Sequence, residues 1–396
     1  MTVVGSTTDQ STDTLGSEPM LVIEDLRTHF QIDAGLVKAV DGVSFELDRG
    51  KTLGIVGESG SGKTVLARSI MRLNTGSNVI TTGSIRFNGE ELIERSAKQM
   101  QKVWGLEMAM VFQDPMTSLN PVVKVGRQLT EHLRYHLKLS KSDARATVVE
   151  LLRSVKIPEP ESRFDNYPHE MSGGMRQRVS IAIALACGPK MLFADEPTTA
   201  LDVTVQHQIL NLLAQQQKER FMTMIMVPHD LGVVAGRTDD IAVMYAGKVV
   251  EKAATTQLFA DMRHPYTEAL LHSIPKIDQP KHTHLSAIAG RPPDLINPPT
   301  GCSFSPRCPY AQERCQEEEP SLTAGTAAGH QFACWYPVGT PENKAAFEKN
   351  LAEGVAVTLA AAGRIQATEE LTIDVHINTD LLGGAVAPTI VSGGDS

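Results

Sequence analysis

The segment Gly57–Thr64, with the sequence GESGSGKT, contains the residue types that bind phosphate. Its glycines permit tight turns in which successive backbone N–H groups face an anion. Lys63 offers a positive charge to the β- and γ-phosphates of a nucleotide, and the Thr64 hydroxyl can be a ligand for Mg²⁺. The residues expected to surround the phosphates are Gly57, Ser59, Gly60, Ser61, Gly62, Lys63 and Thr64.

Two carboxylates follow the apolar, strand-like run Met191–Ala194. Open α/β sheets bind ligands beyond the carboxyl ends of their strands, which is where Asp195 and Glu196 are expected. Asp195 suits the Mg²⁺ shell, and Glu196 suits the base that orients and deprotonates an attacking water. An acidic pair at a strand end is often a solvated turn, but the phosphate loop upstream favours catalysis.

Two more strand-like runs end near a polar side chain. Gln113 follows the run Met108–Phe112, and His229 lies beyond Met222–Val227. In this register His229 is expected to contact the γ-phosphate and the attacking water. A glutamine in such a place is usually only a polar terminator, and spacing alone does not give its distance from the phosphate loop.

A second anion site is predicted at Ser172, Gly173 and Gly174, which lead into the helix-like run Val179–Ala186. Helix N-termini attract anions. One nucleotide does not need two such sites on one chain, so this one is expected to cap the nucleotide of a partner chain. The alternative is an N-capping serine followed by two flexible glycines.

Four of the five cysteines are clustered with the spacing C-x5-C-x6-C-x18-C, at Cys302, Cys308, Cys315 and Cys334. Stable disulfides are not expected in a cytoplasmic protein, and the paired C-x2-C motifs of zinc ribbons are absent from the sequence. The spacing supports a Cys₄ metal site without choosing the metal, so a [4Fe–4S] cluster, Zn²⁺ and free thiols stay open. Cys187, at the end of an apolar helix, is expected to pack in the core.

Composition limits the classes of protein that are compatible with the sequence. The 396 residues are 41% hydrophobic and 21% charged, as in soluble globular proteins. No apolar run approaches the roughly 18 residues that cross a bilayer, and no signal peptide is evident, so we expect a cytoplasmic protein. The net charge of −9 argues against a general nucleic-acid-binding protein.

The elements around these motifs predict an α/β protein with several parts. A strand over Thr52–Val56 and a helix over Val65–Met71 flank the phosphate loop, and Phe30, after an early strand, is a candidate for stacking on a purine or an ordinary half-buried ring. Helical spacing predicts helices over residues 90–103, 126–137 and 141–155. The expected divisions are a disordered tail over 1–19, an ATPase domain over 20–260 with a helical subdomain at about 90–170, an extension over 261–337, and a tail over 338–396 with one possible strand at 371–377.

Taken together, these motifs resemble the ATP-binding subunit of an ABC transporter, from about Met20 to Ile274. The matching residues are the phosphate loop Gly57–Thr64, the Q-loop Gln113, the signature Ser172–Gln177, the acids Asp195 and Glu196, the D-loop Ala200–Asp202 and the switch His229. The resemblance implies a RecA-like α/β core, an antiparallel β subdomain and a helical subdomain. It also implies a head-to-tail ATPase dimer, in which each ATP lies between one phosphate loop and the other chain's signature.

Two departures from the family pattern are visible. Met175 stands where the signature often has glutamine, which leaves the Ser-Gly-Gly contact intact. Pro228 precedes His229 where the family commonly has serine or threonine; proline fixes φ and removes an N–H, which puts the aim of His229 in doubt.

The segments His264–Leu271, Gly290–Pro293 and Gly301–Pro309 resemble the C-terminal extension of oligopeptide and dipeptide importer ATPases. That resemblance implies a second ATPase subunit, two transmembrane permease subunits, a solute-binding protein and a location at the cytoplasmic face of the membrane. It also favours iron at the four cysteines. The cargo is expected to be a peptide, nickel or another small solute.

A soluble ABC-type ATPase that acts on DNA or the ribosome is the competing class. Repair-type members need a long coiled-coil insertion between phosphate loop and signature, for which this chain has no room, and translation-type members carry two phosphate loops. A third class, an iron–sulfur redox sensor, requires an exposed and labile cluster.

Overall fold

The computed structural model describes residues 18–114, 118–199, 201–228, 231–274, 288 and 290–353. The predicted disordered tail, apart from Glu18 and Pro19, lies outside these residues. So do Ala200, His229 and the possible strand at 371–377.

The strands of the described residues form two sheets. They are β1 Leu21–Ile32, β2 Gly35–Leu47, β3 Thr52–Val56, β4 Val79–Phe87, β5 Glu90–Glu91, β6 Met108–Val111, β7 Met191–Asp195, β8 Thr223–Val227, β9 Asp240–Tyr245, β10 Lys248–Ala254, β11 Thr323–Ala324 and β12 Gln331–Phe332.

Along the chain, most of the α-helices of the described residues fall between strands of the larger sheet. They are α1 Lys63–Ile70, α2 Ala97–Met100, α3 Val125–Leu137, α4 Lys141–Ser154, α5 Pro160–Arg163, α6 Gly173–Leu185, α7 Val203–Arg220, α8 Thr255–Ala260, α9 Pro265–His272, α10 Glu313–Glu317 and α11 Pro341–Ala352.

The smaller sheet is antiparallel, with strand order β2-β1-β4-β5. Its central strand β1 alternates buried and more exposed residues near its start, as expected for a sheet with one face on the core. Leu21 pairs with both Leu47 and Phe87, and all three side chains are buried. This sheet corresponds to the β subdomain that the resemblance implies.

The larger sheet has the order β11-β12-β10-β9-β3-β8-β7-β6, and its strands from β9 to β6 are parallel. Every residue of β3, β7 and β8 is buried, which is typical of parallel strands covered on both faces. Because parallel strands end at the same edge, the segments that follow β3, β6, β7 and β8 meet there.

Two of the three predicted helices in the helical subdomain are present. Helix α3 matches the prediction over 126–137, and α4 matches 141–155 and begins at the capping Ser140, whose hydroxyl accepts from Asp143 N at 3.2 Å. The predicted helix over 90–103 is wrong: that stretch contains β5 and the four-residue α2. The carboxylate of Glu91 accepts hydrogen bonds from Ile85 N and Ile93 N, which holds the chain in a turn instead.

The C-terminal extension joins the core sheet directly. Strand β12 pairs with β10, with Glu251 opposite Phe332. Helix α11 begins after the domain boundary expected at Pro337, and its Phe347 packs against Tyr310 of the extension. No helix in the described part of the chain is long and apolar enough to span a membrane.

Candidate functional site

The phosphate loop joins β3 to α1, and its backbone depends on glycine at two close approaches. Gly57 has a φ of 151°, and a Cβ there would lie 2.1 Å from the Met244 carbonyl oxygen. Gly62, with a φ of 103°, would place a Cβ 2.1 Å from the Ala39 carbonyl oxygen. Gly62 is also the N-cap of α1 and gives it no side-chain hydrogen bond, so the first-turn N–H groups remain suited to an anion.

Lys63 lies inside this loop and is only 6% exposed. Its Nζ donates to the Gly57 carbonyl at 2.8 Å and to the Glu58 carbonyl at 2.9 Å. Burial lowers the pKa of Lys63, while the charges of Glu196, Asp195 and Glu58 oppose that shift. Because Lys63 is buried, few water molecules would compete with a bound anion for the hydrogen bonds that its Nζ can donate.

Asp195, the last residue of β7, faces the start of α1. The Thr64 hydroxyl donates to its Oδ1 at 2.9 Å, and its Oδ2 is buried without a hydrogen-bond partner among the described residues. Burial is the largest cause of the raised pKa of Asp195, a shift that Arg68 and Lys63 oppose. A buried carboxylate oxygen without a donor, beside a threonine hydroxyl, fits the oxygen ligands that Mg²⁺ prefers.

Glu196 and Gln113 meet, although 83 positions separate them. Gln113 Nε2 donates to Glu196 Oε2 at 2.6 Å, and the Thr199 hydroxyl donates to the same oxygen at 3.0 Å. Glu196 has a φ of 43°, a strained conformation for a residue with a side chain. Its N–H donates to the Val227 carbonyl at 2.8 Å, which ties this turn to the end of β8.

Ser172 is the exposed N-cap of α6, and its Oγ accepts from Met175 N at 3.3 Å. The hydroxyl proton remains available to an acceptor, because the cap uses only the oxygen. Gly173 and Gly174 form the first turn, where a Cβ on Gly174 would lie 2.9 Å from Val205 Cγ1. Asp202 caps α7, accepting from Val205 N at 2.9 Å.

Phe30 and His229 remain less defined. Phe30 lies in β1, opposite Val37 and Val79, and is half-buried. Its stacking on a purine stays a prediction. His229 lies outside the described residues, so its contact with a γ-phosphate also stays a prediction.

All four clustered cysteines line one small cavity, together with His264, Phe304 and Tyr310. Their thiols are free. Burial raises the pKa of Cys302 to about 11 and that of Cys308 well above its ordinary value, and it also raises those of Cys315 and Cys334.

Among the described residues, no three histidine, cysteine, aspartate or glutamate side chains converge as a single metal ion requires. The predicted gathering of the cysteines is present, whereas the expectation of a formed metal site is not supported.

Sequence reasoning missed two features of this edge. The Thr199 contact with Glu196 had no signal beyond proximity in sequence. Arg307 of the extension binds Glu58 of the phosphate loop across 249 positions, a separation at which no periodicity carries information.

Comparison with known proteins agrees with this geometry. The family model described as "ABC transporter" matches residues 40–199, and the one described as "Oligopeptide/dipeptide transporter, C-terminal region" matches residues 250–315. The fold is similar to the ATP-binding cassette MJ0796, solved as a dimer in a post-hydrolysis state bound to ADP and Pi. That match has a TM-score of 0.54 and 25% identity, and covers 60% of this chain and 99% of that one.

The fold and the site therefore define an ABC-type ATPase. Two relatives narrow the family. The oligopeptide transport ATP-binding protein OppD of Bacillus subtilis (strain 168) is 52% identical over 304 residues, 76% of this chain and 85% of that protein. The dipeptide transport ATP-binding protein DppD of Escherichia coli (strain K12) is 46% identical over 319 residues, 81% of this chain and 97% of that protein. The chain belongs to the family of oligopeptide/dipeptide ABC transporter ATP-binding subunits.

Proposed function

We propose that this ATPase powers the import of peptides or a related small solute through a membrane ABC transporter. The observation that carries the proposal is the meeting of the phosphate loop and two acids at one sheet edge, where Thr64 contacts Asp195 at 2.9 Å. The extension, which matches the oligopeptide/dipeptide transporter model, supports peptides as the cargo class.

In the proposed reaction, Lys63 and the loop N–H groups bind the phosphates, and Thr64 and Asp195 hold Mg²⁺. When bound there, Mg²⁺ would supply positive charge that offsets the negative charge of the phosphates. Glu196 orients the attacking water and accepts its proton. Gln113, which donates to Glu196 at 2.6 Å, fixes the position of that carboxylate and senses both Mg²⁺ and the membrane partner.

A second ATPase chain, identical or related, completes each site in this proposal. Ser172, Gly173 and Gly174 contact the other chain's nucleotide, assisted by Asp202, while His229 and Phe30 contact the nucleotide of their own chain. The support is that Ser172 keeps its hydroxyl proton at an exposed helix N-terminus.

We further propose two permease subunits and a solute-binding protein as partners, with the chain peripheral at the cytoplasmic face of the membrane. Affinity purification from gently solubilised native membranes, followed by mass spectrometry, tests this assembly. Recovery of two multi-spanning proteins, and of a solute-binding protein, is the expected result. Recovery only from the soluble fraction with ribosomal or DNA-bound proteins would overturn the transport function and leave the ATPase standing.

For the cysteines we propose a [4Fe–4S] cluster, with Zn²⁺ as the alternative. A zinc site needs its thiolates to converge on one ion, whereas a cluster binds each cysteine to a different iron. Both centres would use the four thiols that line one small cavity, and the resemblance to peptide-importer ATPases favours iron. The cysteines would each release a proton on binding, and the centre would hold together a segment with little regular secondary structure.

Iron and acid-labile sulfide assays on anaerobically purified protein test the cluster. Cys308→Ser is expected to lose both, and Cys187→Ser, which changes a half-buried thiol packed against another core, is the matched control that keeps them. Zinc without sulfide in the wild type would overturn the cluster.

A further inference from the structure

The C-terminal extension binds the phosphate loop at Glu58. Arg307 donates two parallel hydrogen bonds to its carboxylate, from Nη1 to Oε2 at 2.6 Å and from Nη2 to Oε1 at 3.0 Å. The side chain of Arg307 is 3% exposed and that of Glu58 is 27% exposed. Arg307 also donates to the Tyr245 hydroxyl at 3.3 Å and to the Ile288 carbonyl at 3.2 Å, so its guanidinium is fixed on several sides.

The backbone of Glu58 is held as well. Its N–H donates to the hydroxyl of Tyr266 at 2.7 Å, and Tyr266 is a fully buried residue of α9. Its carbonyl accepts from Lys63 Nζ at 2.9 Å. Residues of the extension therefore bind the Glu58 carboxylate and the Glu58 N–H: Arg307 binds the first and Tyr266 the second. The Glu58 carbonyl is bound by Lys63, which belongs to the loop itself.

A third segment of the extension lies beside the loop. Pro292, Pro293 and Leu295 line one small cavity with loop residues 58–61. The Leu295 carbonyl accepts from Lys38 N at 3.0 Å, which fixes this segment to β2. The extension thus contacts the loop by an ion pair and by a hydrogen bond to its backbone, and it lines a cavity beside the loop.

These contacts have an electrostatic consequence for a loop that binds phosphate. Glu58 places a negative charge within the segment that must receive a polyanion, which is unfavourable unless a cation offsets it. Arg307 supplies that cation, and its rigid, bidentate geometry fixes where the carboxylate lies.

We propose that Arg307 is a positioning residue for ATP binding, which acts through Glu58 so that the extension completes the phosphate site. The inference rests on the ATP site proposed above. Loss of Arg307 leaves the Glu58 carboxylate unpaired beside the phosphates and frees the loop. MgATP affinity is then reduced, while kcat at saturating ATP changes little because no reacting atom is touched.

The test measures the MgATP dissociation constant by calorimetry, and KM and kcat for ATP hydrolysis, on the full chain. Arg307→Gln is expected to raise the dissociation constant about tenfold, because one partner of a buried pair is left uncompensated. Adding Glu58→Gln removes that stray charge and is expected to bring the constant within about threefold of the wild-type value. Arg307→Lys keeps the charge but loses the bidentate geometry and should fall between.

Arg314→Gln is the matched control, because Arg314 lies in the same extension and pairs with Glu318 over the Trp335 ring. It is expected to bind MgATP like the wild type. If Arg314→Gln weakens binding as much as Arg307→Gln, or if Glu58→Gln gives no rescue, Arg307 has only a structural role and the inference is overturned.

Lys63→Ala separates this inference from the ATP site on which it rests. Normal binding by Lys63→Ala would overturn the ATP site itself. Lost binding in Lys63→Ala with normal binding in Arg307→Gln would overturn only the role of Arg307. Tyr266→Phe, which removes the acceptor for Glu58 N, supplies a second variant should Arg307→Gln fail to fold, and a smaller loss of affinity is expected from it.

Discussion

The candidate ATP site and the four-cysteine cavity both bury titratable groups, but they differ in the charges that surround those groups. At the ATP site a buried lysine lies among three carboxylates, whose charges oppose the effect of burial on its pKa. In the cavity, burial raises the pKa of every thiol, and the adjacent His264 is held neutral, with burial lowering its pKa to about 4. The carboxylates around Lys63 oppose the loss of its charge, whereas burial keeps the thiols and His264 neutral.

The largest effect on ATP hydrolysis is expected when the Glu196 carboxylate is removed. Glu196→Gln keeps the size of the side chain and an oxygen that can accept from Gln113, but removes the base. We expect kcat for ATP hydrolysis to fall by about 10²- to 10⁴-fold with MgATP binding intact. Glu219→Gln, at an exposed position of α7, is the control expected to retain activity, and wild-type turnover in Glu196→Gln would remove Glu196 from its role.

Asp195→Asn tests the charge that faces Mg²⁺. The amide oxygen can still accept from Thr64, so the local hydrogen bond is preserved while the anionic ligand is lost. We expect the Mg²⁺ concentration for half-maximal ATPase activity to rise about ten- to hundredfold, with recovery at high Mg²⁺. A magnesium titration checks this, and an unchanged midpoint would contradict the assignment.

Ser172→Ala tests whether the uncharged Ser172 hydroxyl contributes to ATP hydrolysis. Its matched control is Ser140→Ala, because each serine caps a helix by accepting from the backbone N–H three residues on. Both variants should lose about 1 kcal/mol of stability. Only Ser172→Ala is expected to lower ATPase activity of the assembled dimer, by about tenfold for one charge-assisted hydrogen bond to phosphate, with ATP binding to the isolated chain unchanged. Equal ATPase rates in the two variants would contradict the contact with the partner's nucleotide.

The last prediction concerns the effect of His264 on stability as the pH falls. Its pKa is about 4 in the folded chain, where burial outweighs the nearby Glu251 carboxylate, and about 6.5 when unfolded. The unfolded chain therefore takes up a proton as pH falls below about 6.5 that the folded chain does not, and stability declines by about 2 kcal/mol at pH 5.

Urea unfolding of wild type and His264→Asn at pH 7.5 and pH 5 measures this loss. Asparagine can still cap α9 by accepting from Tyr266 N, the bond that His264 Nδ1 makes, but does not titrate. We expect a smaller loss of stability between the two pH values in His264→Asn. Equal losses would show that the histidine titrates normally.

The features that could be predicted from the sequence depend on residues close together in the chain. The phosphate loop and the strand ends carrying Asp195 and Glu196 are recognisable from short patterns, and parallel pairing brings those ends to one edge. The prediction of a helix over residues 90–103 was wrong because the Glu91 carboxylate accepts hydrogen bonds from backbone N–H groups. Hydrophobic spacing does not reveal such hydrogen bonds. The pairing of Glu58 with Arg307 depends on the tertiary fold, and the relative positions of the four thiols depend on a segment with few regular elements.

The position of β3 in the larger sheet has a consequence during translation. Its two neighbours, β8 and β9, begin at Thr223 and Asp240, so the ribosome must add all of the chain between before either can pair with it. At bacterial-like elongation rates this takes on the order of ten seconds, during which the apolar β3 is unpaired in the nascent polypeptide. Arg307 emerges later still, so β3 can pair with both of its neighbours before the residue that binds Glu58 has been added.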